Sequence, residues 1–251
     1  MIKTLKIGYR FFKSLFKKLQ FFFSVNWLKT LYFNFKMLPF NQAKKLPFYF
    51  YGSVKFTSLK GKVVIDAPIT RAMFGFGQQY EMTTRERGIA EISINGSLIV
   101  KGNVQFGKDY FFFIKDGAQC TLGHMSSMAT SGKLICTKEI SLGNWARLGS
   151  ECQIIDTNFH QLIDIKTKEK FPISSAIHIG NYNFISNRVT ILSKTCTSAF
   201  TTVASNSVCS KDYSYLGENI LIGGLPAELI RKDITRDWEG EQDRLLKHLI
   251  V

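Results

Sequence analysis

The sequence predicts an all-β solenoid, a coil of short strands with a triangular cross-section, with a helical segment before it and a short helix after it. Three observations favour this fold: a six-residue recurrence of aliphatic side chains, a body rich in Val, Ile, Gly, Ser, Asn and Thr from about residue 62, and little helical periodicity between residues 62 and 226. With 251 residues the chain is long enough for one sizeable core. The 45% hydrophobic content, with 22 Phe, is typical of a folded protein.

The chain is expected to divide into three parts. Residues 1–60 form a basic, aromatic N-terminal segment, helical at first and extended towards its end. Residues 61–225 form the coil, with a loop at residues 156–176. Residues 226–251 form a helical cap, and Pro226 at an early helical position predicts that a helix begins there.

The positive charge is concentrated in the N-terminal segment. The formal net charge is +14, yet the first acidic residue is Asp66, and the 13 Lys and Arg side chains before it are unopposed. Residues 2–23 are predicted to form a helix with a Phe-rich face beside a Lys/Arg face, which suits an anionic membrane surface. Packing of the apolar face on the protein's own body is the alternative. A nucleic-acid partner is not expected.

Membrane-spanning and secreted classes are disfavoured. The longest apolar runs are far shorter than the roughly 20 residues that a bilayer requires. The basic N-terminus lacks the apolar run of a signal peptide. The five Cys form no CxxC pair and are expected to be reduced, buried thiols. We therefore expect a cytoplasmic protein, peripheral to the inner face of the membrane if the N-terminal helix binds lipid.

The six-residue recurrence occurs in two tracts of the body. Its positions are Leu142, Leu148 and Ile154 in the first tract, and Ile179, Ile185, Ile191, Thr197, Val203 and Cys209 in the second. Such a beat fits strands joined by tight bends, in which one side chain per side points inward and each coil buries its core against its neighbours. The beat is faint between residues 108 and 140, where irregular coils are expected.

The phase of the recurrence slips between the two tracts. Ile154 and Ile179 are 25 residues apart, which is not a multiple of six, so residues 156–176 are predicted to leave the coil as a loop. This loop contains His160. An imidazole near neutral pH can accept a hydroxyl proton, and Asp156 or Asn158 could hold the ring in the required tautomer. The alternative is that His160 is a surface histidine without a catalytic role.

Several stretches together resemble the hexapeptide-repeat acyltransferases, specifically the members that act in surface-polysaccharide biosynthesis. Residues 155–160 (IDTNFH) resemble the family element I-D-x-D-x-H. Residues 177–191 resemble I-x-I-G-x-x-x-W-I-G-x-x-x-x-I, and residues 205–212 (SNSVCSKD) resemble A-G-S-V-V-T-K-D. Residues 223–231 (GGLPAELIR) resemble G-x-P-A-K-x-I-R, and residues 31–39 resemble the lead-in of surface-polysaccharide members. Asn158, Phe184, Ser186 and Ala204 depart from the family pattern, which has Asp, Trp, Gly and Gly there.

The resemblance implies a left-handed parallel β-helix that transfers an acyl group, most simply acetyl, from coenzyme A to a sugar hydroxyl. It implies that His160 is the catalytic base, and that acetyl-CoA lies along the last coils between two subunits of a homotrimer. The positions matching the coenzyme A site are Phe184, Ser205, Ser210, Lys211 and Arg231. The acceptor would be a sugar or a lipid-linked saccharide.

The sequence bears on two other functions. No metal is expected, because a zinc carbonic-anhydrase-like site needs three imidazoles and the four His of the chain are not paired at ligand spacings. A non-catalytic β-helix scaffold or binding protein at the membrane surface remains the alternative, because the departures at Asn158 and Phe184 leave it open.

Overall fold

The fold is known from a computed structural model, which describes Leu19, residues 22–78 and residues 90–247. The chain winds as a three-sided coil, and up to residue 192 successive strands pass from the first face to the second and then to the third. In the last coils the third face continues as isolated parallel bridges at Cys196 and Asp212. Strands of successive coils pair in parallel. Among the strands of the described residues, the last one is the exception, because it pairs antiparallel with the strand before it. The predicted β-solenoid is thus confirmed.

The strands and helices have the following bounds. The first face contains β1 (Phe48–Phe50), β4 (Phe74–Phe76), β7 (Val104–Phe106), β10 (Ser126–Met128), β13 (Arg147–Leu148), β16 (Phe184–Ile185), β18 (Thr201–Val203), β20 (Ile220–Gly224) and β21 (Ala227–Lys232). The second face contains β2 (Val54–Leu59), β5 (Ala90–Ile94), β8 (Phe111–Ile114), β11 (Lys133–Cys136), β14 (Gln153–Ile155), β17 (Thr190–Leu192) and β19 (Val208–Cys209). The third face contains β3 (Lys62–Ile65), β6 (Ser97–Val100), β9 (Gln119–Leu122), β12 (Glu139–Leu142) and β15 (Ile177–Ile179). Within the described residues, the helices with defined bounds are α1 (Trp27–Met37), α2 (Phe40–Ala43) and α3 (Trp238–Lys247), and a short 3₁₀ helix spans Ser214–Leu216.

The core runs along the axis of the coil. Every position of the six-residue recurrence is buried, as the periodicity predicts. Register partners Phe184 and Thr202 are 18 residues apart, whereas Gln105 and Ser127 are 22 apart, so the early coils are longer than three six-residue sides. Stacked Phe rings, such as Phe76 and Phe106 with centroids 5.0 Å apart, fill these wider coils. The beat is faint there because the longer coils break its period.

Helix α1 closes the N-terminal end of the coil. Asn34 is fully buried, and its side chain donates to the carbonyl of Phe48 (2.8 Å) and accepts from the Phe48 amide (3.1 Å). The hydroxyl of Thr30 accepts from the Phe50 amide at 3.1 Å. The helix therefore satisfies backbone groups of β1 that would otherwise form an open sheet edge. No helix within the described ranges combines the length and apolarity needed to cross a bilayer.

Two sequence-based boundaries need correction. The coil begins with β1 and β2, before residue 61, because strands already join the parallel faces from Phe48 onwards. The predicted helix from Pro226 to Lys232 is wrong: this segment is β21, which pairs antiparallel with β20 and covers the last open edge of the first face. The C-terminal helix is α3, which starts later. The predicted helix at residues 2–23 lies almost wholly outside the described residues.

Candidate functional site

An arm leaves the coil between β14 and β15. Its two sides approach each other in antiparallel bridges, Thr157 to Ser174 near the coil and Ile163 to Lys170 near the tip. At the tip, the Asp164 carboxylate accepts from the amides of Lys166 and Thr167, both at 2.8 Å. We refer to residues 156–176 as the arm. It is a folded projection rather than an irregular loop.

His160 is exposed near the base of the arm. Its amide donates to the Asn158 carbonyl at 2.7 Å, and the preceding Phe159 has a positive φ of 57°. Within the described part of the chain, the imidazole has no hydrogen-bond partner. The ring is therefore accessible to an incoming substrate.

Asp156 and Asn158 do not orient this ring. The Asp156 side chain is fully buried, and its carboxylate accepts hydrogen bonds from the hydroxyl of Thr137 and from the amides of Thr137, Lys138 and Glu139, at 2.7 to 2.9 Å. Asn158 is exposed and acts through its backbone, since its amide donates to the Ile173 carbonyl at 2.9 Å. Both residues hold the arm, and neither makes a side-chain hydrogen bond to His160.

The residues predicted to contact coenzyme A are spread over different parts of the last coils. Ser205 is exposed at the bend after β18, and its hydroxyl donates to that of Ser186 at 3.0 Å. Ser210 and Lys211 lie at the bend after β19, on the same edge of the coil as the arm. Arg231 is exposed on β21. The structure thus brings Ser210 and Lys211 together but separates them from Ser205.

Lys211 already has a partner. Its Nζ lies 2.7 Å from Glu228 Oε1, and this hydrogen bond raises the pKa of the lysine. The same ammonium group stands 5.6 Å from the centre of the Tyr213 ring. Lys211 is thus cationic, and a phosphate bound to it would share the three N–H donors of the ammonium group with Glu228.

A cavity of about 540 Å³ lies against the first face, beneath residues 234–244. Its floor contains one outward side chain from each of five consecutive coils: Ser127, Arg147, Phe184, Thr202 and Leu221. These side chains are neighbours in the parallel register. Of the residues predicted from sequence, Phe184 lines this cavity. We refer to it as the first-face cavity.

The roof of the first-face cavity is anchored by aromatic contacts. The Arg236 guanidinium lies 4.8 Å from the Phe184 ring centre and 5.0 Å from that of Trp238, and its Nε donates to Glu241 at 3.0 Å. Trp238 in turn packs edge-on against Tyr182, with centroids 5.7 Å apart. The cavity could not be predicted from sequence, because no pattern in residues 234–244 indicates that they pack over the first face.

Two of the buried cysteines have strongly shifted pKa values. Among the described residues, no group of three or more His, Cys, Asp or Glu side chains is placed to hold a metal ion. Burial raises the pKa of Cys152 to about 11 and that of Cys209 to about 12. These thiols are therefore protonated near neutral pH and poor nucleophiles.

Comparisons with known proteins were informative only at the level of structure. No family model matches the sequence, and no curated protein matches it. The chain is similar to the crystal structure of the polySia specific acetyltransferase NeuO, with 15% identity, 78% of this chain and 79% of that chain covered, and a TM-score of 0.53. Two further structures align with TM-scores of 0.45 and 0.36. They are AntD, an N-acyltransferase from Bacillus cereus solved with dTDP-4-amino-4,6-dideoxyglucose and coenzyme A (13% identity, 84% and 97% covered), and the polysialic acid O-acetyltransferase OatWY (16% identity, 74% and 91% covered). At 15% identity the likeness to NeuO establishes the fold, a left-handed parallel β-helix, and confirms the predicted resemblance at that level.

Proposed function

We propose that the protein is an acyltransferase that moves an acetyl group from acetyl-CoA to a hydroxyl of a sugar or lipid-linked saccharide, with His160 as the general base. The observation that carries this proposal is the placement of His160, whose ring stands exposed on an ordered arm at the one break in the six-residue beat between Leu142 and Cys209. The same fold is found in the acetyltransferase NeuO.

The proposed reaction is direct transfer. His160 takes the proton of the acceptor hydroxyl while its oxygen attacks the thioester carbonyl, and the coenzyme A thiolate leaves. We do not propose a covalent intermediate on cysteine, because the buried thiols are poor nucleophiles. Asp156 is proposed as a positioning residue that fixes the root of the arm. Lys211 and Arg231 are the proposed contacts to coenzyme A phosphates, and Phe184, Ser205 and Ser210 the proposed contacts to the rest of the donor.

A second copy of the chain is proposed to cover the arm. Six large apolar side chains of the arm are between 41% and 80% exposed, a concentration that favours burial in an interface. They are Phe159, Leu162, Ile163, Ile165, Phe171 and Ile173. A homotrimer closed by this contact would place His160 in a groove between two subunits, where the donor is expected.

The N-terminal end is proposed to lie on the inner face of the cytoplasmic membrane. Leu28, Leu31, Tyr32 and Phe35 follow helical spacing on the exposed side of α1, and Leu28 is 83% exposed. The absence of any acidic residue before Asp66 matches an anionic lipid surface. The full-length chain should sediment with phosphatidylserine vesicles, and Leu28→Asp should weaken this binding. Tyr215→Asp, at an exposed aromatic elsewhere, should not. Equal binding by all three proteins would exclude this face.

The decisive experiment for catalysis combines binding and turnover. Acetyl-CoA binding by calorimetry should weaken when Lys211→Ala and Arg231→Ala are combined, while Lys133→Ala, at an exposed lysine on the second face, should bind as the unmodified chain does. Release of the coenzyme A thiol with an acceptor present should fall at least 100-fold in His160→Gln, the usual range for loss of a general base. If the unmodified chain binds no acetyl-CoA, the alternative of a non-catalytic scaffold is favoured.

A further inference from the structure

We infer that the first-face cavity binds an acidic saccharide, one that carries carboxylate groups on a chain of sugar rings. This inference rests on the proposed function and deepens it, because such a ligand would be the acceptor. The arm leaves the coil at the edge between the second and third faces, so in the proposed homotrimer the cavity of one copy would present the acceptor to His160 of the next. It is drawn from the charge, the polar groups and the shape of the cavity.

The charge of the lining is positive. Arg147, Arg236 and Arg244 contribute three guanidinium groups, and Glu241 contributes the one carboxylate of the lining. Glu241 pairs with both roof arginines, at 3.0 Å from Arg236 Nε and 3.5 Å from Arg244 Nη2. On the floor, Arg147 is only 7% exposed, and its Nη1 donates to the Met125 carbonyl at 3.4 Å. Its guanidinium carries positive charge to the wall of the open volume, where it attracts an anion.

A second, independent observation comes from Ser127. This residue is the register neighbour of Arg147 on the floor, and it is 2% exposed. Its hydroxyl is buried without a hydrogen-bond partner in the structure. An unsatisfied buried hydroxyl costs free energy, and a ligand oxygen in the cavity would remove that cost. Arg147 and Ser127 thus form a guanidinium and hydroxyl pair at one end of the floor.

The rest of the lining suits sugar hydroxyls. Ser150, Asn187, Thr202 and Thr235 add hydroxyl and amide groups along the length of the cavity. Five parallel strands spaced by about 4.8 Å make a floor about 19 Å long, which accommodates several sugar rings in a row. The volume lies in the range of about 300 to 1,000 Å³ that ligand sites occupy.

The donor is a less suitable occupant of this end. Ser210, Lys211 and Arg231, which are proposed to hold coenzyme A phosphates, do not line the first-face cavity. Arg147 and Ser127 lie on the coils that precede Phe184, whereas the other proposed donor contacts lie on the coils that follow it. Phe184 would then stand where the acceptor and donor sites meet. The structure thus leaves the floor before Phe184 to the acceptor.

The test uses matched tetrasaccharides without any acyl donor, so that its result is independent of catalysis. Binding of the hyaluronan tetrasaccharide, which alternates glucuronic acid with N-acetylglucosamine, is compared with that of the neutral tetra-N-acetylchitotetraose by calorimetry on the full chain. The acidic probe should bind at least tenfold more tightly. Arg147→Gln should weaken it about tenfold, the effect of losing one charge-assisted pair. Ser127→Ala should weaken it less, and Lys133→Gln should leave it unchanged.

Arg244→Gln provides a second variant on the half-exposed roof, in case Arg147→Gln fails to fold. It should also weaken the acidic probe. Equal affinity for the two tetrasaccharides, or unchanged affinity in the folded arginine variants, would overturn the inference. Binding of adenosine 3′,5′-bisphosphate that depends on Arg147, without binding of the acidic probe, would also overturn it and assign the cavity to the donor. If the unmodified chain binds the acidic tetrasaccharide but no acetyl-CoA, the proposed function is contradicted and the assignment of the cavity to an acidic saccharide stands.

Discussion

The Thr137 side chain joins the Asp156 carboxylate to the opposite root of the arm. The Thr137 hydroxyl donates to Asp156 Oδ1 at 2.8 Å and lies 2.7 Å from the Ser174 hydroxyl, while the Thr137 amide donates to the same carboxylate oxygen at 2.7 Å. Both sides of the arm, at Asp156 and at Ser174, are thereby hydrogen-bonded to Thr137 in the preceding coil. The position of His160 depends on this junction, although no atom of Thr137 is needed near the reacting groups.

Replacing Asp156 should therefore destabilise the protein and slow the reaction through the arm. Asp156→Ala removes a fully buried carboxylate and leaves the Thr137 hydroxyl and the amides of Thr137, Lys138 and Glu139 without their acceptor. We therefore expect a loss of about 2 to 4 kcal/mol in the free energy of unfolding. Urea titration measures this loss. Asp164→Ala, which removes the carboxylate at the tip of the arm, is the control and should cost less than about 1 kcal/mol.

The pH dependence of turnover distinguishes positioning from a direct role. If Asp156 acts only by fixing the arm, Asp156→Asn should lower kcat and leave the shape of the pH–rate profile unchanged. A shifted pH–rate profile would mean that the carboxylate acts on the His160 imidazole, contrary to the hydrogen bonds observed.

The coil, its core and the place of His160 could be predicted because each depends on spacing along the chain. The six-residue beat fixes which side chains point inward, and its break marks the arm. The partners of Asp156 could not be predicted, because Thr137 becomes its neighbour only when one coil stacks on the next. Likewise β21 resembles the start of a helix locally, and only the open edge of β20 makes it a strand. The first-face cavity needs a roof whose position depends on the contacts of Trp238.

The arm should control the oligomeric state. Ile165 is 80% exposed in the isolated chain, and Ile165→Asp would place a charge in the proposed interface between copies. We expect sedimentation velocity to show a trimer for the unmodified chain and a monomer for Ile165→Asp. Tyr215→Asp changes a 71% exposed aromatic outside the arm and should remain trimeric. A monomeric unmodified chain would contradict the proposed arrangement of the site.

Neighbouring residues on β17 should differ sharply in their contribution to stability. Ile191 is 1% exposed and stacks in register between Ile154 and Cys209, whereas Leu192 is the next residue on the outer side. Ile191→Ala should lower the free energy of unfolding by about 2 to 5 kcal/mol, as is usual for a cavity in a packed core. Leu192→Ala should cost about 1 kcal/mol or less. Similar losses at both positions in urea titrations would show that the inward phase is misassigned.

His124 should make the fold less stable at mildly acidic pH. Its Nδ1 accepts a hydrogen bond from the Asn103 amide at 3.2 Å, and burial lowers the pKa of the imidazole below its usual 6.5. The unfolded chain then binds a proton more readily than the folded one, so this contribution to stability is present at pH 7.5 and is lost as the pH falls through 6.5 towards the folded-state pKa. The free energy of unfolding of the unmodified chain should therefore decrease more between pH 7.5 and 5.5 than that of His124→Gln. His178→Gln, at an exposed histidine on the third face, should follow the unmodified chain. Parallel pH profiles for the unmodified chain and His124→Gln would show that the imidazole is protonated equally in both states.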